Sequence, residues 1–130
     1  MNAINRRKFE RFALPPMYTP ICVRLADGTG PALEGHAYDV SEGGIRFELD
    51  SALPAGTAVA VQITLPAGNG PAKRELEASR TVCIFGNVIW VDQSEPGPVR
   101  MALAITRFAR LGDRERLLGK ITSGRFLRAA

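Results

Sequence analysis

Long apolar runs are missing from this chain of 130 residues. No stretch approaches the roughly 20 residues that a helix needs to span a bilayer, and the opening residues lack the apolar centre of a signal peptide. A cytoplasmic protein with no membrane span is therefore expected. Histidine is nearly absent, with His36 the only one. It has no second histidine or cysteine beside it, so it reads as a surface strand residue rather than a base or ligand. Cysteine is also scarce: Cys22 and Cys83 belong to no CxxC pair and sit near no second ligand type, a spacing that excludes a structural zinc site. Both fall in apolar, strand-like runs and read as small buried or half-buried thiols. No carboxylate pair or nucleophile elbow is present, and Ser41 and His36 flank a strand end without the geometry of a nucleophile and its base. No catalytic activity is expected.

What remains is a folded domain with an excess of positive charge. The hydrophobic fraction of 45% is that of a globular protein, and the length suits one core rather than two. The formal net charge is +4, and 14 of the 17 cations are arginine. Arginine presents a planar fork of donors, so the balance favours an anionic partner recognised with defined geometry, phosphate or carboxylate. The charge is concentrated early, where "RRKFERF" at residues 6–12 places four cations, one Glu and two Phe in seven positions. A solvated tail would account for this stretch alone.

From Ile21 onward the apolar residues alternate with polar ones, the period of half-buried strands. Ile21, Val23 and Leu25 oppose Cys22 and Arg24, and "ALEGHAYDV" returns after the turn "ADGTG". In "GIRFELD" Ile45, Phe47 and Leu49 oppose Arg46, Glu48 and Asp50; in "VAVQITL" Val59, Val61, Ile63 and Leu65 share a face. After the Pro/Gly loop "PAGNGPA" come "ELEASRTVCIF", "NVIWV" joined to it through Gly86, and "VRMALAIT". Six or seven short strands with antiparallel turn signals predict a small barrel or sandwich. In the tail Asp113 is expected to cap a short helix with Leu117, Leu118 and Ile121 as its apolar stripe. Trp90 is expected to pack against the barrel, an aromatic wall beside a ligand being its other role.

A second unusual stretch is "YDVSEGGIRF", residues 38–47. Asp and Ser hydrogen-bond nearby backbone in turns, and the Gly43-Gly44 pair offers the positive φ of a tight connection. Taken with "RKFER", whose Arg7 and Arg11 form an RxxxR pattern, the sequence "DVSEGG" supplies [D/N]xSxxG through Asp39, Ser41 and Gly44. The two motifs, in this order on a strand-rich chain, resemble the PilZ domain family over roughly residues 5–120.

That resemblance implies a mostly β fold: a six-stranded antiparallel barrel over 17–108, a short C-terminal helix over 112–124, and a flexible basic N-terminal arm over 1–12, all in one domain. It implies a bacterial, non-catalytic signalling receptor that binds the second messenger cyclic di-GMP and needs no further cofactor. Arg7 and Arg11 would contact phosphates and guanine, Asp39 and Ser41 would hydrogen-bond the base, and Gly43 and Gly44 would let the ligand approach the backbone. Arg6 adds a third guanidinium, so two ligands stacked as a dimer are expected on each chain. The output would pass to an unidentified downstream protein. The alternative reading is a small basic barrel that binds single-stranded nucleic acid. Such modules stack bases on exposed aromatics along a basic groove, whereas most aromatics here fall in apolar-alternating positions. Nucleic acid is therefore not the expected partner.

Overall fold

The computed structural model describes residues 10–15, 19–66 and 80–122. The expected arm up to residue 9, the loop "PAGNGPA" from Ala67 on, residues 75–79 of the strand expected in "ELEASRTVCIF", and the helix beyond Thr122 lie outside the described residues.

Among the described residues seven strands and one helix follow in order. They are β1 (Phe12–Ala13), β2 (Pro20–Leu25), β3 (Leu33–Val40), β4 (Gly44–Leu49), β5 (Ala58–Thr64), β6 (Thr81–Asp92), β7 (Val99–Phe108) and α1 (Asp113–Ile121). All pairings are antiparallel, and the sheet runs β1-β3-β2-β5-β6-β7-β4 with a further pairing of β4 to β3. That last pairing closes β2, β5, β6, β7, β4 and β3 into a ring of six, which removes the exposed edges an open sheet would leave. The two-residue β1 lies outside the ring, on the flank of β3.

The period-2 pattern explains the core. Ile45, Phe47 and Leu49 on β4, Val59, Val61 and Ile63 on β5, and Met101 and Leu103 on β7 are all at most 3% exposed. Intervening residues such as Arg46, Glu48 and Gln62 face outward, and His36 is exposed on β3. Helix α1 packs against β6 and drives Leu117 and Ile121 into the same core. None of the described helices is long and apolar enough to cross a membrane, a statement that does not bear on strands.

Two expectations need correction. Asp113 does not cap the helix from outside: the N-cap is Gly112, at φ 87°, a left-handed turn that suits glycine. Asp113 is the first helical residue and is fully buried. Its carboxylate accepts from the backbone N–H and guanidinium of Arg110 and, at 2.7 Å, from Arg116 Nη1. Charged donors bind a carboxylate more strongly than a helix N–H does, so the acid is spent on tying the chain entering α1 to its first turn. The hydrogen bond to Asp113 also raises the pKa of Arg110, with neighbouring Cys83 adding to the rise.

Trp90 is not packed inside. It is 43% exposed and its neighbour Ile89 is 61% exposed. The register of β6 against β7 shifts between Val88 and Trp90. A bulge of this kind breaks strict alternation, and two successive large side chains therefore reach solvent. The same strand takes a second shift at Phe85/Gly86 and still continues unbroken through Gly86.

Candidate functional site

Strand β1 brings the described end of the arm, residues 10–12, beside the second motif. Phe12 pairs with Val40 and Ala13 with Asp39, and the Leu14 N–H donates to the Tyr38 carbonyl at 2.9 Å. Arg11, one residue before β1, is thereby held at the end of β3. There Asp39, Ser41, Gly43 and Gly44 join it in lining one pocket of about 290 Å³. Arg6 and Arg7, the remaining residues expected at the site, lie outside the described residues.

Each motif residue has a local reason for its position. The β3–β4 register shifts between Ala37 and Asp39, and Asp39 is 7% exposed at the pocket wall. Its Oδ2 stands 3.8 Å from Nε of Arg46, its cross-strand partner on β4. Ser41 fastens the loop to itself: its Oγ accepts from the Gly43 and Gly44 N–H groups at 3.1 Å each, and its own N–H donates to the Gly44 carbonyl at 2.9 Å. Side-chain closure of this kind is what serine offers in a turn.

Gly44 is constrained from behind rather than by its backbone angles. It is not in the left-handed region, contrary to the expected positive φ. A Cβ built on it would lie 2.6 Å from the Leu103 carbonyl oxygen of β7. The motif glycine thus lets β4 and β7 close over the floor of the pocket. Gly44→Ala is accordingly expected to cost about 1–3 kcal/mol through overpacking, read as a fall in the urea midpoint. Stability equal to wild type would show that β7 yields without cost.

Six further lining residues escaped the sequence reading: Ile45 and Leu103, which were read only as core, and Arg46, Ile89, Ala102 and Ala104. Arg46 opposes Ala102, and Gly44 opposes Ala104, across the β4–β7 pairing. The small side chains leave an open floor, Ile89 stands at its side because of the β6 bulge, and Arg46 contributes a cation from the barrel itself. In "VRMALAIT" Val99, Met101, Leu103 and Ile105 share one face and leave Ala102 and Ala104 on the other, but only the strand register brings these two beside the motif. Tyr38 borders the same region. Burial raises its phenol pKa, and the nearby Arg46 and Arg100 guanidinium groups act in the opposite direction.

Among the described residues no group of three His, Cys, Asp or Glu side chains is placed to hold a metal ion. The site offers arginine forks, one carboxylate, one hydroxyl and backbone groups around a shallow apolar floor, a set that suits a flat, anionic, hydrogen-bonding ligand.

The sequence over residues 5–122 matches the family model of the PilZ domain. The chain belongs to the PilZ domain family. Solved PilZ-like structures share its fold. The PilZ domain of YcgR from Escherichia coli, with c-di-GMP, is 22% identical, with a TM-score of 0.56, covering 92% of this chain and 91% of that one. The Bacillus subtilis inhibitor of motility MotI/DgrA is 21% identical with a TM-score of 0.64, covering 92% of this chain and 51% of its own. The K. pneumonia MrkH–c-di-GMP complex is 17% identical with a TM-score of 0.65, covering 92% and 52% respectively. This PilZ chain therefore spans about half the length of MotI/DgrA and MrkH. No curated protein matches the sequence.

Proposed function

We propose that this PilZ domain is a non-catalytic receptor for cyclic di-GMP, bound between the arginine arm and the barrel. The observation that carries this reading is the β1–β3 pairing, which puts Arg11 of the arm and Asp39 and Ser41 of the barrel around one pocket. Guanine presents O6 and N7 as paired acceptors matched to an arginine fork, and its imino and amino hydrogens suit the Asp39 carboxylate. The Ser41 Oγ accepts two backbone bonds and keeps its one O–H to donate. Arg7, four residues before Arg11 in the motif, supplies the second guanidinium for phosphate or base.

The magnitudes are adequate. Hydrogen bonds to charged groups contribute about 1.5–3 kcal/mol each, so two arginines and one carboxylate supply much of the roughly 8 kcal/mol of a micromolar complex. The proposed assignment keeps residues 1–12 as the arm that closes over the ligand. Arg6 is the residue that favours a stacked ligand dimer, with a second protein receiving the signal.

Titration calorimetry tests the reading. Cyclic di-GMP is expected to bind with a micromolar or tighter dissociation constant, and GTP far more weakly. An absence of heat at tens of micromolar ligand would overturn it. Preference for single-stranded oligonucleotide, with affinity that falls steeply as salt rises, would favour the nucleic-acid alternative instead.

A further inference from the structure

The loop that carries Ser41 and Gly43 also carries an acid. Glu42 stands between two residues that line the pocket, and a carboxylate next to them in the loop opposes any anionic ligand. Its charge is met from far along the chain. Arg114, in the first turn of α1, donates to Glu42 Oε2 from Nε at 2.9 Å and from Nη2 as well. The same guanidinium lies 3.9 Å from Glu115 Oε2.

Two considerations argue against a purely mechanical role. The Arg114 and Glu42 side chains are 50% and 23% exposed, and ion pairs open to water add little to stability. A cation in the first turn also opposes the helix dipole, which favours acids there. Helix stability therefore does not account for arginine at this position. Charge at the pocket does. Among the described residues the charged ones that line it are Arg11, Arg46 and Asp39, and an uncompensated Glu42 would subtract one charge from that excess of cations.

We infer that Arg114 is a positioning residue for anion binding: it neutralises Glu42 and holds its carboxylate towards α1, which keeps the pocket attractive to a doubly charged ligand. The inference rests on the cyclic di-GMP reading. It differs from that reading in predicting a rescue. In calorimetric titrations of the full chain with cyclic di-GMP at low salt, Arg114→Ala is expected to bind about three- to tenfold more weakly, the size of a nearby unscreened charge. Glu42→Gln is expected to equal or exceed wild type, and the double variant to match Glu42→Gln. At about 1 M salt, where screening acts beyond about 3 Å, the loss in Arg114→Ala should shrink.

A mechanical brace would behave in the opposite way: both single variants and the double variant would be impaired alike, with little salt dependence. That pattern, or wild-type affinity in Arg114→Ala, would overturn the inference while leaving the ligand reading intact. Wild-type protein that takes up no cyclic di-GMP would overturn both.

Discussion

Replacing Arg7 and Arg11 together with alanine is expected to weaken cyclic di-GMP binding by at least about a hundredfold, the loss of two charged hydrogen-bonding groups at roughly 1.5–3 kcal/mol each. The fold should barely register the change. Arg11 is not among the core residues, and substitutions away from the core and its networks generally stay within about 0.5 kcal/mol. The melting temperature is therefore expected to move by no more than about 2 °C. Conversion of the same pair to lysine should restore only part of the affinity, since a point charge cannot present two parallel donors to a guanine edge or phosphate. Calorimetry alongside thermal denaturation measures both quantities. Equal affinity in wild type and the double alanine variant would remove the arm from the mechanism.

Phe47→Ala should give the reverse signature. Phe47 is fully buried on β4, opposite Ala37 of β3 and Met101 of β7, at the seam that closes the barrel. Truncation there costs transfer free energy plus a cavity, about 3–5 kcal/mol for a buried phenylalanine. Against a typical domain stability of about 5–15 kcal/mol, this is a large share, and a fall of about 10–20 °C in melting temperature is expected. Urea unfolding should show a lower midpoint with an unchanged slope. Because β4 begins at Gly44 of the site, binding should fail only as the variant begins to unfold, with near-normal affinity well below that temperature. A loss of stability under about 1 kcal/mol would mean that the barrel closes without depending on this side chain.

Alternation was legible in the chain because each barrel strand faces a dry interior on one side. Ile45, Phe47 and Leu49 could be placed inward with no knowledge of their neighbours, and they are buried as their spacing predicts. The departures come where neighbouring strands decide the outcome. Trp90 turns outward because of a register shift against β7, and nothing in "NVIWV" marks that bulge. Asp113 carries the sequence features of a helix cap, yet Arg110 and Arg116 claim its carboxylate. Their side chains lie three residues to either side, a spacing that could have suggested the cluster.

The candidate site shows the same division. Asp39, Ser41, Gly43 and Gly44 lie close together in sequence, and the resemblance to the PilZ motifs picks them out together with Arg7 and Arg11. Arg46, Ala102 and Ala104 reach the pocket only through the pairing of β4 with β7, more than fifty residues apart in sequence. The reason for Gly44 was likewise hidden, because the atom that forbids a side chain there is the Leu103 carbonyl oxygen. The link from Glu42 to Arg114 crosses a longer stretch of chain still, 72 residues, and its first trace in the sequence is only an arginine misplaced for the helix dipole.

Cyclic di-GMP is proposed to sit where the arm meets the end of β3. Amide resonances of isotopically labelled protein, followed by NMR during titration with cyclic di-GMP, test both the ligand and its place. The expected result is a saturable shift of Arg11, Asp39, Ser41, Gly43, Gly44, Ala102 and Ala104, with Cys22, Gln62 and Cys83 on the opposite β2–β5–β6 face unmoved. Shifts centred on Cys22, Gln62 and Cys83, or no saturable shift at all, would contradict it.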